Sequence, residues 1–102
     1  MKRYVKSAKF GPYKYKYGVY ATKPHGESYT LGGSQTLVSA NEIAVNQAKA
    51  IFESPWADDS EKFHRLDSII VIDDETGEDV MLPDTEDYID SLMSELDSRK
   101  AK

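Results

Sequence analysis

The sequence predicts an α+β domain with a mainly antiparallel sheet, in the order β-β-β-α-β-β-α, and with both helices on one face. Three observations predict it. Residues 13–21 alternate with period two between glycine and proline turns, residues 39–53 and 84–98 carry apolar side chains at helical spacing, and residues 69–72 are four apolar residues in succession. The 102 residues, 39% apolar and 11% aromatic, suit one domain with one core, marginally stable unless a partner adds to it. Its parts are a basic three-stranded meander over 1–33, a helix over 39–53, a hairpin over 66–82 and an acidic amphipathic helix over 84–98.

Residues 2–10 alternate loosely, with Tyr4, Ala8 and Phe10 on one parity, and Gly11-Pro12 ends this first strand. In the second, Tyr13, Tyr15, Tyr17, Val19 and Ala21 share one face, and Lys14, Lys16 and Tyr20 share the other. The turn Lys23-Pro24-His25-Gly26 then returns the chain through Ser28 to Leu31, where Gly32-Gly33-Ser34 is expected to end the strand.

Ser39 stands three residues before Glu42, the spacing of a capping box, so it is the expected N-cap. Val38 and Ile43 would then form a hydrophobic staple, and Ile43, Ala44, Ala48, Ile51 and Phe52 an apolar stripe that stops at Ser54-Pro55. Trp56 to His64 reads as a polar connector whose tryptophan folds back on the core. Leu66 to Ile72 is expected to be the central strand, buried on both faces. Gly77 is available for a left-handed turn position, and Asp79 to Leu82 is short enough for an edge strand. After Pro83, either Asp84 or Thr85 can cap the last helix, in which Tyr88, Ile89, Leu92, Met93 and Leu96 recur on one face.

Composition excludes several classes of function. Cysteine is absent, so there are no disulfides, thiolate metal sites or cysteine nucleophiles. No run approaches the roughly 20 apolar residues of a membrane span, and the opening Met1-Lys2-Arg3-Tyr4 leads into alternation rather than a signal-peptide core, so a cytoplasmic protein is expected. His25 and His64 are not spaced as a metal pair or as a nucleophile's base. Gly32-Gly33-Ser34 lacks the lysine of a phosphate loop, and the acids around residue 75 do not follow the calcium-loop pattern. No enzyme activity, cofactor or metal is expected.

The formal net charge of −5 hides a separation. Residues 1–26 carry seven cations and no acid, whereas residues 58–97 carry fifteen acids against Lys62 and Arg65, a net −13. One reading of this polarity is plain solvation of two exposed faces. Another gives each half a partner. Lys14, Lys16, Tyr20 and Lys23 could hold single-stranded nucleic acid, cations on phosphates and a ring under a base, although the strand parity buries the other tyrosines and leaves only Tyr20 exposed beside the lysines. Asp73, Asp74, Glu75, Glu78, Asp79, Glu86, Asp87, Asp90, Glu95 and Asp97 form an acidic ridge that could occupy the groove where a basic protein holds phosphates.

In its size, tyrosine-rich opening hairpin and acid-rich stretch from Asp73 to Asp97, the chain resembles the small, acidic, cysteine-free α+β proteins of bacteriophages and mobile elements, among them the anti-CRISPR proteins. The resemblance implies a non-enzymatic inhibitor that binds a host protein with a basic nucleic-acid-binding groove, such as a CRISPR effector nuclease, in a bacterial cytoplasm. It carries no individual residue across. Three readings follow: an inhibitor using the acidic half, a nucleic-acid binder using the basic hairpin, and a structural protein that dimerises through its sheet edge.

Overall fold

The computed structural model describes residues 15–23 and 26–100. They form β1 (Tyr17–Thr22), β2 (Ser28–Ser34), α1 (Leu37–Glu53), α2 (Asp59–Asp67), β3 (Ile70–Asp73) and α3 (Pro83–Lys100). This α+β order of three strands and three helices replaces the expected β-β-β-α-β-β-α. The strand expected over 2–10, and the start of the tyrosine-lysine strand, lie outside the described residues.

The sheet is antiparallel throughout, in the order β2-β1-β3. Its centre is therefore β1 and not the 66–72 segment, whose first residue, Leu66, belongs to the last turn of α2. The expected edge strand at 79–82 is reduced to one bridge, Ile72 to Asp79, with the Val80 amide donating to the Val71 carbonyl at 2.7 Å. Asp79 Oδ1 then accepts from the Met81 amide at 3.0 Å, a side-chain turn that leads the chain away from the sheet. The turn before it is as expected, with Gly77 at φ 76°.

Gly32-Gly33-Ser34 does not end β2 but continues it, with Gly33 opposite Gly18 and Ser34 opposite Tyr17. The glycines here serve close approach. A Cβ on Gly18 would overlap the Tyr20 hydroxyl and stand 2.6 Å from its Cζ, so the Tyr20 ring lies across the space that a side chain at 18 would need.

The period-two parity of β1 holds, but the expectation that Tyr20 faces water does not. Val19 and Ala21 join Val71, Ala40, Ala44, Ala48, Leu66, Ile89 and Leu96 in the main core. On the opposite face Tyr20 packs with Ile70 and Ile72 and is 0% exposed. Both faces of the central strand are thus buried, with Val71 of β3 in one cluster and Ile70 and Ile72 in the other.

Helix α1 begins three residues earlier than expected. Thr36 is the N-cap, extended at φ −118° and ψ 148°, and its hydroxyl accepts from the Ser39 amide at 3.2 Å. Ser39 is inside the helix, and Val38 is 62% exposed, so the staple with Ile43 does not form. The end is as expected: Ser54 is extended before Pro55. The connector of 56–64 is a second correction, since Asp58 caps α2 by accepting from the Glu61 amide at 2.8 Å and only the short stretch before it is irregular. Trp56 does not fold back; it is 91% exposed.

α3 starts at Pro83, a residue that suits the first helical position because its missing amide would have no partner there. Its apolar face is the expected one, with Ile89 and Leu96 buried and Tyr88, Leu92 and Met93 packed against the core. Two helices on one face become three: α1 and α2 lie on the sheet, and α3 packs on α1 and α2 as an outer tier while its Ile89 and Leu96 share the main core with Val19 and Val71.

Candidate functional site

The outer tier gives α3 one dry face and one wet one. At 100° per residue, Glu86, Asp90 and Asp97 fall within about 40° of one another along one flank of the helix, and Asp87, about 60° further round, stands opposite Ile89 and Leu96. All four are exposed. None pairs with a cation among the described residues. Glu95 lies off this line and faces Arg99, 3.9 Å away.

Of the other five acids in the predicted ridge, three are absorbed by the fold. Asp73 Oδ1 accepts from the Glu75 amide at 2.9 Å, and Asp79 supports the turn already described. Asp74 is half-buried; its Oδ1 accepts from the Tyr20 hydroxyl at 3.2 Å, and its Oδ2 has no hydrogen-bond partner. Burial raises the pKa of this carboxyl above the ordinary value of 3.8, the Tyr20 hydrogen bond opposes that rise, and the charge of Asp73 adds to it. Glu75 and Glu78 remain exposed in the turn after β3. The predicted ridge thus draws on two elements, the turn after β3 and the exposed side of α3. Asp84, exposed at the start of α3, belongs with the helix group and is missing from the predicted set.

The basic alternative is not gathered by the fold. Lys14 lies outside the described residues and Tyr20 is buried. Lys16 is exposed before β1, its Nζ 5.6 Å from the Tyr17 ring, whereas Lys23 follows β1, pairs with Glu27 at 3.5 Å and lies 5.8 Å from the Tyr29 ring. The six residues of β1 separate the two lysines by about 20 Å. Arg65 is engaged as well, with Glu61 at 2.6 Å and the Tyr29 hydroxyl at 2.9 Å. Partial burial works against its charge, but these two hydrogen bonds hold its pKa above the usual value.

Among the described residues no group of three or more histidines and acids converges as a metal site, and no helix is long and apolar enough to cross a membrane. His64 is exposed, its Nε2 3.3 Å from the Lys23 carbonyl, and His25 lies outside the described residues. Sequence reasoning missed α2 and the exposed Trp56. The spacing of Asp58 and Glu61, a capping signature, was the available signal for the helix. Compared with protein-family models, curated proteins and solved structures, the chain matches none.

Proposed function

We propose that the protein is a non-enzymatic binding protein that sets the carboxylate face of α3 into the basic groove of a nucleic-acid-handling protein and thereby blocks it. The observation that supports this is the alignment of Glu86, Asp90 and Asp97, with Asp87 beside them, on a helix whose apolar residues are already committed to the core. Such carboxylates are held at fixed spacing on an ordered scaffold, which is what substitution for a row of phosphates requires. The loop carboxylates Glu75 and Glu78 are secondary. The resemblance to anti-CRISPR proteins makes a CRISPR effector nuclease the first partner to try.

The test is affinity capture from a bacterial lysate, with and without nuclease treatment, followed by a DNA-binding assay of whatever is recovered. A partner that survives nuclease and loses DNA binding in the presence of the protein supports the reading. Capture that disappears with nuclease, or a partner whose DNA binding is unaffected, contradicts it.

A further inference from the structure

Trp56 is the one tryptophan of the chain and stands in water, although such a ring can bury about 150 to 250 Å². Its setting is ordered. The Trp56 amide donates to Ser54 Oγ at 3.3 Å, the Ser54 amide closes the last turn of α1 on the Ile51 carbonyl at 3.2 Å, and Asp58 is fixed as the cap of α2. Beside the ring is a hollow of about 290 Å³, lined by Ala50, Ile51 and Ala57, with Glu61 and Arg65 at its wall.

Every charged residue from 50 to 61 is an acid: Glu53, Asp58, Asp59 and Glu61. Glu61 is taken by Arg65, and Asp59 by Arg99 at 3.4 Å. Glu53 and Asp58 are exposed and face no cation among the described residues. Of the two lysines that flank this stretch, Lys62 is buried in α2 and Lys49 is exposed one turn before Glu53. The place thus combines an exposed indole and an apolar hollow, with the carboxylates of Glu53 three residues before the ring in the chain and of Asp58 two residues after it.

We infer that this is an anchor for an arginine side chain of a protein partner. The guanidinium stacks on Trp56 and meets Glu53 or Asp58, and the methylenes enter the hollow. Arginine fits better than lysine, because its planar, weakly hydrated head stacks on an aromatic face and forks towards a carboxylate. The inference rests on the proposed reading in requiring a basic partner. Arg99, which holds Asp59, also faces Glu95 of α3 and lies 5.0 Å from the Phe52 ring, so the last turns of α3 meet the start of α2 near this place.

The experiment titrates the full chain with hexa-arginine and hexa-lysine peptides, following tryptophan fluorescence, which reports Trp56 alone, and calorimetry for variants. Expected are a saturable fluorescence change with hexa-arginine, weaker binding of hexa-lysine, and a loss of about fivefold in hexa-arginine affinity in Trp56→Ala, the scale of one exposed cation–ring contact. Trp56→Ala binding as tightly as wild type, or no binding by wild type, overturns the anchor. Asp87→Lys/Asp90→Lys separates the two readings. If that variant alone loses the peptide, the anchor fails and the α3 face stands; if Trp56→Ala alone loses it, the anchor stands and the α3 face fails.

Discussion

The Tyr20 hydroxyl donates to Asp74 Oδ1 at 3.2 Å, joining the middle of the central strand to the turn that follows β3, 54 residues on. The same ring covers Gly18, and the second carboxylate oxygen of Asp74 is out of water with no hydrogen-bond partner among the described residues. A charge in this position is costly, which is why burial pushes the Asp74 pKa up despite the tyrosine.

The sign of the pH dependence follows. A carboxyl whose folded pKa exceeds its unfolded one binds more protons in the native state, so its contribution to stability falls as pH rises from the ordinary value of 3.8 through the folded pKa. Asp74→Asn, which keeps an acceptor for the Tyr20 hydroxyl, removes this contribution. Urea denaturation of both proteins between about pH 4 and 7 should show wild type losing stability relative to the variant as pH rises. A constant or opposite difference contradicts the assignment.

Each face of the sheet has its own apolar support, so single truncations on either side should be felt. Ile70→Ala, beside Tyr20, and Leu96→Ala, in the main core, should each cost about 2 to 5 kcal/mol in a denaturant melt. If Ile70→Ala melts like wild type, the second face is not a packed cluster.

The start of α1 is decided by one hydroxyl. Thr36→Ala should destabilise by about 1 kcal/mol, whereas Ser39→Ala, inside the first turn, should leave the melt nearly unchanged. The reverse order would restore Ser39 as the cap.

These corrections show which information the sequence holds. The alternation around Val19, the stop at Ser54-Pro55, the turn at Gly77 and the face of Ile89 and Leu96 are local patterns, and all are legible. The burial of Tyr20 is not local, since Ile70 and Ile72 reach it from β3, some 50 residues away, and parity alone says only that two faces differ. Helix α2 was hidden because its nine residues bury only Lys62 and Leu66, too few for a helical stripe to show. The roles of the acids divide in a similar way. Charge is visible in sequence, but the use of Asp73 and Asp79 as acceptors for backbone amides is visible only in the fold.

The central claim is that the α3 carboxylates attract a basic partner, and the most direct measurement is the affinity of a captured partner for wild type and Asp87→Lys/Asp90→Lys at two salt concentrations. Both residues are exposed on α3, so the variant should fold as wild type does. Exposed charges are screened over about 8 to 10 Å near physiological ionic strength, so wild-type binding should weaken as salt rises. The variant should associate more slowly, with a smaller salt dependence. Partner binding that is the same for both proteins at both salts would contradict the account.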